Sequence, residues 1–285
     1  MTTVVVNGIF TGLVYGLLAV GLVVVYRGTR IINFAYGETG MIGAFVFSEL
    51  WTTGHLVLGL ALVAGVATSA AVGALTEVVL VRPLRGQPPL TAMVGTLAVA
   101  SLILTFASRR YGVNPRFLPP LASGAGIHVL GQHVSPGQLV ILVAVLGVLA
   151  GLAALYRWTS FGLRLRATAV DPLAAGLVGV DTDRTSLATW ALAGGLAGLS
   201  AIVIAPSVAF SVFFMTTLLL RSVAAALVGG LTSIGGAFAA GIVLGVAEGV
   251  IGYLSPVTGI VEVLLAGFVI VLLLVRPSGL VRSAY

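Results

Sequence analysis

Lysine and cysteine are both absent from this 285-residue chain, and charge of either sign is scarce: 8% of residues, against 59% hydrophobic. The missing cysteines exclude disulfide scaffolds, thiolate metal sites and cysteine nucleophiles. Three histidines, His55, His128 and His133, do not build a histidine-rich metal centre unaided, so no metal and no cofactor is expected. Without lysine, a phosphate-cradling loop ending in Gly-Lys-Ser/Thr is impossible. The chain is therefore not expected to hydrolyse ATP, and with no HExxH either it is not expected to be an enzyme. A soluble domain carries about 25% charged residues, and 22 charged side chains leave most of this exterior to lipid. The net charge of +6 reads as orientation in a bilayer, with no nucleic acid partner. No cleavable leader is expected, because the first apolar stretch follows Met1-Thr2-Thr3 with no basic segment and is too long.

What is present is apolar sequence in helix-length pieces. A hydrocarbon core needs roughly 20 apolar residues per helix. The candidates are Val4–Tyr26, Gly40–Trp51, Leu56–Val81, Leu90–Ala107, Gln138–Tyr156, Leu187–Ala205, Leu218–Leu231, Ala237–Leu254 and Val257–Val275. Strand-like alternation is missing from them, which argues against a β-barrel. The expected fold is all-α: one polytopic transmembrane helical bundle over residues 1–285, with eight or nine membrane segments and broken or re-entrant helices. The stretch Leu218–Leu254 reads as two short spans or as a re-entrant hairpin bent at Thr232–Gly236.

Arginine placement suggests which side is which, because cytoplasmic loops carry the basic excess. Arg27, Arg30, Arg82, Arg85, Arg157, Arg164, Arg166, Arg184, Arg276 and Arg282 fall on one side if the N-terminus lies outside and the C-terminus in the cytoplasm. Arg109, Arg110 and Arg116 then lie outside, in or beside the proline-rich loop Ser108–Pro136, whose piece Ile127–Val134 is suited to a hairpin.

Glycine is abundant, at 38 residues. Gly8, Gly12 and Gly16 form one stripe, Gly241, Gly245 and Gly249 another, and Gly147/Gly151 and Gly194/Gly198 repeat the spacing once each. Small residues permit close helix approach where lipid offers no hydrophobic drive, so these stripes read as packing seams or as sliding surfaces of a transporter. Two stretches look interrupted: Ile31–Gly43, with Asn33 and Glu38, and Val228–Gly241, with Thr232 and Ser233. Irregular backbone at membrane depth is tolerated where it is buried in protein or lines a cavity, and it points to a transport route.

Ionisable residues inside spans are costly and are functional candidates. Arg221, Glu248 and Glu262 either pair with one another or meet a polar group of the transported molecule. The polar, basic loop within residues 157–185 contains a punctuated helix. Asp171 suits the N-cap, Pro172 the first helical position and Gly179 the residue that ends it. Ala174, Ala175 and Val178 give that helix a small face suited to a groove on a partner.

Three blocks carry a resemblance. "NGIFTGLVYGLLAVGLVVVYRGTRIINFAYGETGMIGAF" (Asn7–Phe45), "FGLRLRATAVDPLAAGLVGVD" (Phe161–Asp181) and "VGGLTSIGGAFAAGIVLGVAE" (Val228–Glu248) resemble the permease subunits of bacterial ABC importers for branched-chain amino acids. The Asn33-Phe34-Ala35 block favours the smaller of the two permease types, although Tyr36 stands where histidine is usual, so a proton-linked role there does not carry over. The resemblance implies a multi-pass inner-membrane protein working by alternating access. Its implied partners are two ATP-binding subunits, a second permease subunit (identical or paralogous), an extracytoplasmic substrate-binding protein and the lipid bilayer.

It also implies a coupling element formed by Arg164, Arg166, Asp171, Pro172, Ala174, Ala175, Gly179 and Asp181. The translocation candidates are Asn33, Glu38, Arg221, Thr232, Ser233, Glu248 and Glu262. Urea, short amides or sugars are the alternative cargo on the same architecture. The rival mechanism is a secondary transporter using the intramembrane carboxylates.

Overall fold

The computed structural model describes residues 1–129, 132–255, 257, 259–276 and 279–280. Arg282 of the arginine pattern and the tip of the 127–134 hairpin lie outside the described residues. Eleven α-helices account for most of the described chain: α1 (Thr2–Thr29), α2 (Tyr36–Ser48), α3 (Leu58–Thr76), α4 (Pro89–Tyr111), α5 (Pro136–Trp158), α6 (Ser160–Val170), α7 (Pro172–Leu177), α8 (Thr182–Ile204), α9 (Phe214–Gly229), α10 (Ile234–Leu254) and α11 (Ile260–Val275). Wider π-helical turns, Glu49–Thr53 and Glu77–Val81, prolong α2 and α3. Strands β1 (Ile127–Val129) and β2 (Gln132–Val134) pair antiparallel, with His128 opposite His133, so the expected hairpin forms.

Six helices are long and apolar enough to cross a membrane, and α9 and α11 are shorter apolar helices. Each of the nine apolar segments expected from the sequence is a helix, with ends shifted by a few residues. The uncertainty over Leu218–Leu254 resolves as two helices, α9 and α10, joined by the short turn 230–233. Missed in the sequence is α6, whose polar, arginine-bearing composition carries no span signal.

Contacts between helix ends define two faces of the bundle. At the face holding Met1, Gln138 Nε2 donates to Asn7 Oδ1 at 2.9 Å, Arg110 pairs with Glu49, and the backbones of Arg116 and Phe210 exchange hydrogen bonds at 2.8 and 3.0 Å. At the opposite face Arg27 lies 5.4 Å over the Tyr156 ring, Arg30 donates to Ala169 O, and Arg85 bridges Glu77 and Asp183. The Leu280 N–H, donating to Val228 O at 2.8 Å, brings the far end of the chain to the end of α9, in the same half of the bundle. Helices α1 to α5 and α8 to α11 thus run in alternating directions between the two ends of the bundle, an odd number among the described residues. Helices α6 and α7 stay at the second face, the arginine-rich one.

Helix α1 is the axis. In its apolar window 83% of residues are buried, against 17% in α4 and α5, so α1 is wrapped by protein while α4 and α5 face outward. Its Gly8, Gly12 and Gly16 meet the Gly241 and Gly245 backbone, antiparallel. A Cβ at Gly12 would stand 2.6 Å from Ile242 Cα, closer than real Cβ atoms come, so only glycine lets these two backbones touch. Gly194 and Gly198 of α8 pack on Ser69 of α3, whose hydroxyl donates to Thr39 O of α2 at 3.0 Å. The Gly147/Gly151 pair is a correction: an added Cβ meets nothing within 4 Å at either position, so among the described residues this repeat makes no close helix approach.

The pairing of Gly16 with Phe238 and Gly12 with Ile242 sets Val20 of α1 level with Ile234. The start of α10 therefore lies about 13 Å short of the α1 end, at 1.5 Å per residue, and the 230–233 turn just beyond it stays recessed. On the other side of α1, chain 30–35 climbs back into the bundle, because the Tyr36 side chain reaches Gly21 and the Phe34 N–H meets Thr96. Both interrupted stretches are thus recessed from the same, arginine-rich face.

Candidate functional site

Three places concentrate the polar side chains singled out in the sequence. The first is the recess at 30–38. Asn33 Oδ1 accepts the Ala35 N–H at 2.9 Å, Asn33 O accepts the Tyr36 N–H at 3.3 Å, and the Phe34 N–H donates to Thr96 Oγ1 at 3.0 Å. Non-helical backbone is affordable here because each of these N–H groups finds an acceptor. Asn33 is accordingly the brace that turns the chain into α2. Glu38 follows in the first turn of α2 and is 5% exposed. Thr216 Oγ1 of α9 donates to its Oε1 at 3.0 Å, and its Oε2 is buried without a partner. One acceptor in the bundle interior is left open. Thr96 and Thr216 were not anticipated, since a hydroxyl in a span gives no sequence signal of which backbone or carboxylate it will meet.

The second place is an ion-pair cluster joining four helices. Arg221 of α9 holds Glu248 of α10 through Nε (3.0 Å) and Nη2 (2.8 Å), and its Nη2 also reaches Glu262 of α11 at 3.1 Å. Tyr15 of α1, absent from the sequence-derived set, donates to Glu248 Oε2 at 2.8 Å. The guanidinium fork suits this task because it serves two carboxylates from one plane. Mutual pairing, one of the two readings open in the sequence, is what the geometry favours. Thr232 and Ser233 are elsewhere, in the recessed α9–α10 turn. Ser233 caps α10 by accepting the Gly236 N–H at 3.0 Å. Neither approaches the Arg221 cluster.

The third place is the α6–α7 element. Asp171 Oδ1 accepts the N–H groups of Leu173 (2.9 Å) and Ala174 (3.0 Å), and Pro172 is the first helical residue. At the other end Gly179 has φ +87°, while the Val180 N–H bonds Ala175 O and the Gly179 N–H bonds Gly176 O, each at 3.0 Å. That pair of bonds is a Schellman closure. Asp181 then caps α8 through the Arg184 N–H at 2.9 Å and pairs with the Arg184 guanidinium at 3.0 Å. Caps at both ends hold a six-residue helix that has little stability alone, and the third cap starts α8 directly after it.

The free face of α7 differs from the sequence expectation. Ala175 is 3% exposed and points into the protein, whereas Leu173, Leu177 and Val178 are 76–83% exposed and continue into exposed Val170. Ala174 stays on the free side; Arg164 is exposed and Arg166 half-buried in α6. The small residue is buried because α7 must lie close against its own bundle, and the larger aliphatics are left outward. Replacing Gly179 by alanine places a Cβ at positive φ, so the element should lose about 1 kcal/mol. Faster proteolysis at 171–181 with unchanged global unfolding would register it.

Beside α7 the buried Glu77 carboxylate is held by Arg82 at 3.3 Å and by Arg85, which also pairs with Asp183. This group ties the α3–α4 connection to the start of α8. A cavity of about 340 Å³ separates it from Gly28, Thr168 and Pro172.

Comparison with known proteins places this geometry in one lineage. The family model described as "Branched-chain amino acid transport system / permease component" matches residues 4–274. The high-affinity branched-chain amino acid transport system permease protein LivH of Escherichia coli K12 is 29% identical over 96% of this chain and 93% of its own. The permease protein BraD of Pseudomonas aeruginosa is 28% identical over 96% and 94%. A probable LivH of Methanocaldococcus jannaschii is 30% identical over 83% and 76%. Among solved structures, a chain of PsaBC from Streptococcus pneumoniae in complex with Fab shares the fold, with TM-score 0.52 at 14% identity over 95% of this chain and 91% of that one. With six helices long and apolar enough to cross a membrane and a family match over nearly its whole length, the chain belongs to the permease components of branched-chain amino acid transport systems.

Proposed function

We propose that this permease carries branched-chain amino acids inward by alternating access, driven by two separate ATP-binding subunits whose motion enters through α6–α7. The observation that carries the proposal is the outward aliphatic ridge Val170, Leu173, Leu177 and Val178 on a helix capped at both ends. An exposed apolar ridge on a rigid, polar-rimmed element has the character of an interface core. Its rim holds Arg164 and Arg184, and ATP chemistry falls to the partners because this chain has no lysine for a phosphate loop. Nine described arginines toward this face favour a cytoplasmic side for it by the basic-excess rule, which would leave Met1 outside. An extracytoplasmic binding protein would then deliver cargo at the opposite face, and a second permease subunit would complete the pathway.

Motion applied to α7 has a direct line inward. Asp171 separates α6 from α7, Arg30 grips Ala169 at the end of α6, and the recessed 30–38 segment with Glu38 begins immediately after Arg30. In this reading Glu38, with its open acceptor beside Thr216, meets a cargo ammonium.

The test is uptake by the assembled importer carrying Leu173→Asp and Leu177→Asp. Each removes an interface anchor, so a fall of about tenfold or more in uptake is expected, with permease abundance unchanged and ATP-binding subunits lost on co-purification. Unchanged uptake would remove the coupling role from α7. Ion-gradient-driven uptake by the permease alone would instead establish a secondary transporter.

A further inference from the structure

A second feature of the arginine-rich face lies away from α7, on the side where α5 meets lipid. A cavity of about 390 Å³ is lined by Arg27 of α1, Tyr156 and Arg157 of α5, Arg166 of α6 and Ile234 at the start of α10, with Leu149, Leu152 and Ala153 forming its apolar wall. Three arginines therefore border one small volume. Among the described residues no carboxylate pairs with any of the three, although every carboxylate of the α3–α4 and α8 region at the same face is paired. Two polar atoms at the cavity wall, the Tyr156 hydroxyl and Arg166 Nε, are buried without a hydrogen-bond partner. Arg27 is held over the Tyr156 ring at 5.4 Å, which orients it without neutralising it. Convergent unpaired cations of this kind lack a counter-charge that the chain does not supply.

The location says what kind of anion fits. The recessed 230–233 turn leaves the cavity open above Ile234, and exposed Ala153 lies one helical turn from Leu149 on the outward side of α5. A charged group seated among the arginines would thus have an apolar strip running away from it toward the bilayer core. A guanidinium fork matches phosphate oxygens in two-point contact, and basic pockets between transmembrane helices at this depth suit lipid headgroups. We propose that this cavity binds the phosphate of an anionic phospholipid, its headgroup among Arg27, Arg157 and Arg166 and an acyl chain along Leu149 and Ala153. The bound lipid bridges α1, α5, α6 and α10, and so braces the base of α6. The site rests on the chain's being a bilayer-spanning permease and not on the α7 docking reading; loss of either leaves the other standing.

The experiment is native mass spectrometry of the assembled transporter in detergent, titrated with phosphatidylglycerol, phosphatidylcholine or inorganic phosphate. Each arginine is worth about fivefold in affinity for an anionic headgroup. Arg157→Gln should weaken phosphatidylglycerol retention about fivefold, and the variant with Arg27→Gln, Arg157→Gln and Arg166→Gln about a hundredfold. Arg157 is exposed and contributes no described ion pair, so its single variant tests the site even if the triple variant folds poorly. Phosphatidylcholine, equal in acyl chain but without net charge, should bind weakly and alike to both. Equal phosphatidylglycerol retention by wild type and Arg157→Gln would overturn the proposal. So would displacement of the lipid by millimolar inorganic phosphate, which would assign the cavity to a free anion.

Discussion

Gly241→Leu is expected to abolish accumulation of folded permease, whereas Gly151→Leu should leave it unchanged. At Gly241 an added Cβ falls onto the Gly16 backbone, and at Gly12 onto the Ile242 backbone. Backbone cannot rotate aside as a side-chain end can, so α1 and α10 would have to separate along their whole seam. Overpacking a closed core costs about 1–3 kcal/mol even where side chains can yield, and forcing two backbones apart exceeds that. Against a total stability of roughly 5–15 kcal/mol, loss of the extracted, monodisperse protein follows. Gly151 has no neighbour within 4 Å of the added carbon, and leucine also favours helix over glycine. Size-exclusion yield and thermal unfolding in detergent separate the two variants. Equal melting temperatures would mean that the α1–α10 contact is not what holds the bundle together.

Arg221→Met should be nearly as damaging, through charge instead of volume. The side chains of Arg221 and Glu248 are 16% and 20% exposed, and removing the cation leaves Glu248, among the described residues, with only the Tyr15 hydroxyl. Breaking a buried pair by deleting one partner costs about 3–5 kcal/mol, because the surviving charge stays desolvated. Adding Glu248→Gln and Glu262→Gln to Arg221→Met should restore most of that loss, since no uncompensated charge remains. A triple variant no more stable than the single one would show that the guanidinium contributes by packing. Uptake by the refolded triple variant decides the remaining question: retained transport leaves the cluster as a brace across α1, α9, α10 and α11, and lost transport with an intact fold puts it on the cargo's path.

Much of this protein was legible because membrane insertion leaves few choices. With 59% hydrophobic residues and so few charges, lipid is the solvent, and backbone polar groups in lipid must be satisfied within each helix. That makes spans local, and each expected span is a helix. The α7 caps were equally local: Asp171, Pro172 and Gly179 act within one or two turns, so their roles follow from spacing. The arginine bias is additive along the chain and needs no knowledge of which helices touch.

Tertiary structure decided what depends on distant partners. Two glycine pairs with the same spacing, Gly147/Gly151 and Gly194/Gly198, are indistinguishable as sequence; one faces outward and the other seats α8 on Ser69. Ala175, expected on the free face of α7, is buried and Leu177 is exposed, because the docking angle of the helix, not its periodicity, selects the buried side. Glu38 found Thr216 and Glu248 found Tyr15 across 178 and 233 residues. The gathering of Arg27, Arg157 and Arg166 around one cavity required α1, α5, α6 and α10 to meet. Composition and local pattern thus determined that the chain is a bundle of spans with a capped element at its basic face. Which glycines touch, which charges cancel and which are left open are properties of the packing, because each depends on contacts between helices far apart in the chain.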